Sequence, residues 1–192
     1  MNRLFFVCFS LLFLRCDLFE TREAEDPTSS KSDFQPATTP DRLIVNLISS
    51  FQDKNSDNYI ACFSDTTFTD KKFSFSPSSG AISLFPDLAQ GWNLEDERQY
   101  FQNAVSKVGD VLPIDLILSN ESFTQQGSDS IFYTASYTLN LPNNDANLPD
   151  TYEGDLSFKM VLDRQSVWSI YFWQDIKSTG LPSWSELKGR LH

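Results

Sequence analysis

From Ile131 to Leu141 every second residue is apolar: Ile131, Tyr133, Ala135, Tyr137, Leu139 and Leu141. A period of two sustained over that length fits an extended strand with one buried face and does not fit a helix, because successive strand side chains point to opposite sides. Tyr152, Leu156, Phe158, Met160 and Leu162 repeat the pattern, and Gly154 interrupts it as a bulge or bend does. Residues 114–123 form a third run. Val167 to Trp173 form a fourth, with Trp168, Ile170 and Phe172 on one side and Val167, Tyr171 and Trp173 on the other. Turn-forming stretches at 126–129 and 163–165 separate them. Four such runs in succession require an antiparallel sheet, and something apolar must cover it.

The cover lies earlier in the chain. Leu43, Ile44, Leu47, Ile48 and Phe51 follow helical spacing behind a Thr39 cap and Pro40. Asp57 is placed to cap a second, short helix carrying Tyr59, Ile60, Cys62 and Phe63. Phe73 to Phe75 alternates like a short strand, and 81–85 reads as another. Asn93 caps a helix whose face is Phe101, Ala104, Val105 and Val108, with Gly109 as its stop. Ser183 and Glu186 match a capping box that opens a final helix through Leu191. Helices in front and antiparallel strands behind predict an α+β fold, with a curved sheet wrapped on helices. All four Trp, all six Tyr and 11 of the 17 Phe lie at or after residue 39, so the rings belong to this domain.

Composition removes several functions. The chain has 192 residues, enough for one domain of ordinary size. Its one His is the last residue and it has three Cys, so neither a His-based triad nor a Cys/His zinc site is expected in the interior. A net charge of −11 argues against a nucleic-acid partner. No Gly-rich phosphate loop, nucleophile elbow or EF-hand pattern occurs, and no cofactor is expected. Asn143, Asn144, Asp145 and Asp150 read as a solvated loop before they read as a cation site.

Residues 1–15 look like an export leader: Arg3, then an apolar run from Leu4 to Leu14 that is too short to span a membrane. Cys16 follows at once. This layout resembles a bacterial lipoprotein signal, in which the Cys becomes the lipidated N-terminus, although Arg15 stands where that signal has a small residue. The resemblance implies palmitate-type acylation at Cys16, export and an anchor at the outer membrane in preference to the inner. Removing 1–15, which hold Arg3 and Arg15 and no acid, takes the net charge from −11 to −13. Cys62 is then left without a disulfide partner, as a small apolar core residue. Residues 16–38, acidic and without apolar periodicity, read as a flexible tether of up to roughly 75 Å; residues 39–192 form the domain.

The element order resembles the NTF2-like superfamily, the cystatin-like cone of a bent sheet closed over helices. The resemblance covers about residues 39–176. It rests on Phe51, Asn58-Tyr59, Cys62-Phe63 and on Trp168-Ser169-Ile170 with Trp173. The whole layout is similar to small lipoproteins of Bacteroidota-like bacteria. A lipocalin-like barrel or another sheet-plus-helix domain stands as the alternative.

Three functional readings follow. In the first, the protein is a lipid-anchored, non-enzymatic envelope protein. Its cone binds a small apolar ligand lined by Tyr133, Tyr137, Tyr152 and Trp173, or its surface binds an envelope protein. In the second, implied by the NTF2-like resemblance, it is an isomerase, dehydratase or hydrolase using Asp155 with a Tyr. Strict alternation, however, puts Asp155 on the more polar strand face, with Ser157 and Lys159. In the third it is a structural or homodimerisation module. Asp163 and Asp175 read as turn residues, and no metal ligand set is expected.

Overall fold

The computed structural model describes residues 34–109 and 111–192. The leader, Cys16 and the tether through residue 33 lie outside the described residues. Packing begins ahead of Thr39. Ala37 is buried and its carbonyl accepts from Trp168 N at 2.8 Å, while Asn46 Nδ2 donates to the Gln35 carbonyl at 2.6 Å.

Helix α1 (Pro40–Gln52) starts as expected, with Thr39 Oγ1 accepting from Arg42 N at 3.2 Å, and buries Leu43, Ile44, Leu47 and Phe51. Helix α2 (Ser56–Ile60) is capped by Asn55, not by Asp57. Asn55 Oδ1 accepts from the amides of both Asp57 and Asn58 at 3.0 Å. The helix stops at Ile60, so Cys62 and Phe63 lie beyond it, and Phe63 forms a parallel bridge to Ile170. Cys62 is fully buried, and its desolvation pushes the thiol well above its ordinary range.

Strand β1 (Ser74–Ser76) is followed by α3 (Ser79–Leu84) in place of the strand expected over 81–85. The pairing of β1 with the last strand ends at Ser76, which leaves that segment no ladder to join. It winds instead, and Ser83 Oγ turns back to the Ser79 carbonyl at 3.1 Å. A 3-10 turn (Pro86–Gln90) leads to α4 (Leu94–Val108). Asn93 and Asp96 form the capping box of α4, and Gly109 ends it at φ +71°.

The sheet comprises β2 (Asp115–Gln125), β3 (Ser130–Asn140), β4 (Thr151–Leu162) and β5 (Trp168–Ile176) in the order β1-β5-β4-β3-β2, antiparallel except for β1 with β5. Two irregularities interrupt the ladders. One lies between Ser119 and Ser122 of β2. At the other, Lys159 faces Phe172 and Met160 faces Ile170, which makes Tyr171 an extra residue. That bulge reverses the side-chain alternation, so Ile170 and Trp173 face the helices together and both are wholly buried. Strict alternation had put them on opposite sides. Bulges also raise local twist, and the sheet is curved around its cover.

Helix α5 (Trp184–Leu191) packs into this curve. Trp184 lies 4.5 Å from Trp173, 5.2 Å from Tyr137 and 5.6 Å from Phe51 between ring centroids, each pair edge-to-face. Such pairs add about 0.5–1.5 kcal/mol beyond their buried area. The rings therefore fill the helix side of the sheet and link both ends of the domain.

Gly154 lies in regular ladder opposite Tyr137, with no bulge. Its reason is space: a Cβ there would stand 2.6 Å from the Ile176 carbonyl oxygen and 2.7 Å from the Tyr137 hydroxyl. Gly154→Ala is therefore expected to lower unfolding free energy by about 1–3 kcal/mol in urea titrations, the usual cost of overpacking.

Candidate functional site

Glu97 and Asp175 are enclosed on the helix side of the sheet, and a third buried carboxylate, Glu186 at the start of α5, pairs with Lys177 at 2.6 Å. Glu97 lies on α4 with no solvent exposure. Its Oε1 accepts from the Tyr59 hydroxyl at 2.5 Å, and its Oε2 accepts from Trp92 Nε1 at 2.6 Å and from Lys188 Nζ at 2.5 Å. Lys188, on α5, is equally buried. Its Nζ stands 3.9 Å from the Phe75 ring centroid, 3.7 Å from that of Trp173, and 5.3 Å from those of Trp92 and Tyr100. Desolvation pulls its pKa down to about 8, and Glu97 opposes that shift.

Asp175 is the second enclosed carboxylate. It was expected in a turn, but it lies within β5 and is only 2% exposed. Its Oδ1 accepts from the Tyr137 hydroxyl at 2.7 Å. Its Oδ2 accepts from Ser185 N at 2.8 Å and from the Ser185 hydroxyl. The Tyr137 oxygen in turn accepts from Trp184 N at 2.7 Å. The start of α5 is thus held by a strand carboxylate and a strand phenol in addition to the Ser183–Glu186 capping box that the sequence predicts.

Tyr133, Tyr137, Tyr152 and Trp173 share the helix-facing side of the sheet, and all are buried. Trp184 lies against two of them, Tyr137 and Trp173. The Tyr133 hydroxyl donates to Glu121 Oε2 at 2.7 Å. The Tyr152 hydroxyl and Trp173 Nε1 have no hydrogen-bond partner among the described residues. Asp155 lies on the opposite face, between Ser136 and Ile176, and accepts from Ser136 Oγ at 2.7 Å. It edges a shallow groove of about 290 Å³ with Asn120, Phe132, Ser157 and Gln174. The structure therefore does not bring Asp155 together with those tyrosines. Asp163 is a turn residue as expected, its Oδ1 accepting from Gln165 N and Val167 N at 2.8 and 2.9 Å. Asp145 pairs with Lys107 at 3.0 Å, and Asn143 donates to Asp150.

A larger cleft, about 420 Å³, opens between α2, the 61–69 loop, the first turn of α4 and the β4–β5 turn. Ile60, Phe63, Phe68, Leu94 and Val167 supply its apolar wall. Arg98 and Asp57 pair at its rim at 2.9 Å. Ser169 Oγ, at the wall, is buried with no hydrogen-bond partner among the described residues. Its lining comes from three separated stretches, 57–69, 94–98 and 163–169, that share no motif, so sequence reasoning missed the cleft. The one sequence trace is Phe68, a lone ring in a polar loop.

No family model matches the chain, and no curated protein matches it either. Solved structures do. A candidate aromatic ring hydroxylase from Novosphingobium aromaticivorans superposes with TM-score 0.55 at 13% identity, covering 77% of this chain and 92% of that one. A candidate scytalone dehydratase from the same species gives 0.55 at 9%, covering 72% and 81%. An NTF2-like protein of unknown function from Shewanella oneidensis gives 0.50 at 9%, covering 71% and 94%. The fold is NTF2-like. At these identities the likeness carries the fold and not the chemistry.

The NTF2-like core contains five tyrosines, Tyr59, Tyr100, Tyr133, Tyr137 and Tyr152, whose phenols are all raised above 10.0, chiefly by desolvation. The unfolded chain releases these protons as pH passes 10, while the folded chain retains them, so stability falls with rising pH above that point. Lys188 works the other way: between about 8 and 10.5 the unfolded chain holds a proton the folded one has lost, which raises stability with pH. Five phenols outweigh one amine above pH 10. Tyrosinate absorbance is expected to rise together with loss of near-ultraviolet circular dichroism. Stepwise ionisation of these tyrosines in a still-folded chain would contradict it.

Proposed function

We propose that this chain is an exported protein anchored through lipidated Cys16, at the outer membrane in preference to the inner. Its NTF2-like domain binds a small, largely apolar molecule and does not transform it. The observation that carries the binding half is the cleft against Phe63 and Phe68. Its 420 Å³ lies within the roughly 300–1,000 Å³ of small-molecule sites, and an apolar wall with a single unpartnered hydroxyl suits orientation of such a ligand. The two inward carboxylates support the non-enzymatic half, because every oxygen of Glu97 and Asp175 already accepts a protein donor. Asp155, which a catalytic reading requires, lies on the other sheet face, away from the cleft. The anchoring half rests on the leader and Cys16 alone. Three acyl chains at one Cys give stable attachment, where a single chain does not.

Two measurements separate the halves. Cys16→Ala is expected to move the protein from the membrane to the soluble fraction and to abolish labelling by palmitate; equal fractionation of both chains refutes the anchor. For the cleft, the probe is N-phenyl-1-naphthylamine, which fluoresces in apolar surroundings. Wild type should bind it saturably, and Ala61→Trp, which fills the mouth from an exposed position, should weaken it by roughly tenfold with unchanged melting. Undiminished binding by A61W places the probe elsewhere. A concentration-dependent mass with no probe binding favours the homodimer reading, and capture of an envelope protein without probe binding favours the partner reading.

A further inference from the structure

The setting of Lys188 has a feature that packing alone does not require. Its ammonium group meets four ring faces and one carboxylate, and none of the five groups belongs to α5. Phe75 comes from β1, Trp92 from the turn before α4, Glu97 and Tyr100 from α4, and Trp173 from β5. Every receiving group therefore comes from outside the helix that supplies the cation, and that helix touches two of them through Trp184, which packs on Trp173 and donates to the Tyr100 hydroxyl at 2.7 Å. Glu97 is also aimed independently of the lysine, since Tyr59 and Trp92 each donate to it. Aromatic faces around an ammonium, with a carboxylate at the base, are the chemistry by which proteins recognise cationic ligands.

A second observation points the same way. The Trp173 indole, itself a wall of the cage, is buried with no acceptor for its Nε1 among the described residues. The Tyr152 hydroxyl, close enough to α5 to feel Arg190 and Glu186, is buried and has no partner among the described residues either. Buried donors left open are uncommon, and α5 satisfies neither. The segment that joins β5 to α5, residues 177–182, is exposed through residue 181 and contains Gly180.

We propose that Phe75, Trp92, Tyr100, Trp173 and Glu97 form a recognition site for a primary alkylammonium group, occupied by Lys188 as a built-in ligand that an external amine can replace. The 2.5 Å contact to Glu97 needs an N–H, which selects a primary amine over a quaternary one. An amine that also carries acceptor oxygens would answer the open donors. This site is separate from the cleft, and either reading can fail without the other.

The test uses the full chain and n-propylammonium chloride. Lys188→Ala removes three methylenes and the ammonium, which leaves a space of that shape. The amine is expected to raise the melting temperature of K188A saturably and to shift its Trp emission. 1-Propanol, neutral and of equal length, and tetramethylammonium, which has no N–H, should act at least roughly tenfold more weakly. Lys188→Met, which refills the space without charge, should not respond. Should K188A fail to fold alone, the same additives are compared for regain of near-ultraviolet circular dichroism. Regain with the amine and not the alcohol supports the site; equal regain, or none, overturns it. In wild type, n-butylammonium should speed hydrogen exchange of the α5 amides relative to sodium chloride at matched ionic strength. Unchanged exchange overturns the claim that Lys188 can be replaced.

Discussion

Glu97 and Lys188 have no solvent to share their charges with, and the bond between them ties α5 to α4 across the inside of the sheet. A buried ion pair contributes little net stability against an apolar pair of the same volume, because each charge must be stripped of water. What it does enforce is completeness. Removing one partner strands the other, at a cost of about 3–5 kcal/mol. The pair is therefore compatible with one seating of α5, the seating that brings Nζ over the rings of Phe75 and Trp173. The position of Trp184 follows from it, since Trp184 and Lys188 lie one turn apart on the same helix face. The aromatic contacts around Trp184 follow in turn.

The sheet has to admit α5 for this to work, and the sequence provides for that at two points. The extra residue Tyr171 lets Ile170 and Trp173 face inward together, so Trp173 reaches both Lys188 and Trp184. At Gly154 the absence of a Cβ lets the Tyr137 phenol pass over β4 to meet Asp175 and the amide of Trp184. The first device gives up ladder regularity and the second gives up a side chain, and each is located where α5 is held.

The parts legible in sequence were those governed by short-range periodicity. Alternation marked β2 to β5, and Asn93, Thr39 and the Ser183/Glu186 pair marked helix starts, because capping is a local contest for unpaired amides. The expected α+β class and curved sheet match the structure for the same reason. The bulge at Tyr171, the winding of 79–84 and the burial of Asp175 depend on which strand lies alongside, and no local pattern carries that. The site is a mixed case. Glu97 falls on the stripe of Phe101, Ala104 and Val108, and Lys188 on the stripe of Trp184 and Leu191. An acid on one apolar stripe and a base on another is a readable sign of a buried pair. Glu97 is also one of three acids in the first turn of α4, where any acid suits the helix dipole, and that local role hides the long-range one.

The same pairing bears on what an NTF2-like domain of this composition can do. A general base needs a lone pair that faces free volume and a proton within reach. The oxygens of Glu97 and Asp175 face donors instead, three on each carboxylate, and their neighbours are rings in close contact. Free volume lies outside this interior, in the cleft by Phe63, where Arg98 is tied to Asp57 and Asp163 holds its own turn. The enclosed carboxylates and the free volume thus lie in different places. The enclosed carboxylates have no room around them, and in the roomy cleft Arg98, Asp57 and Asp163 each already hold a protein partner.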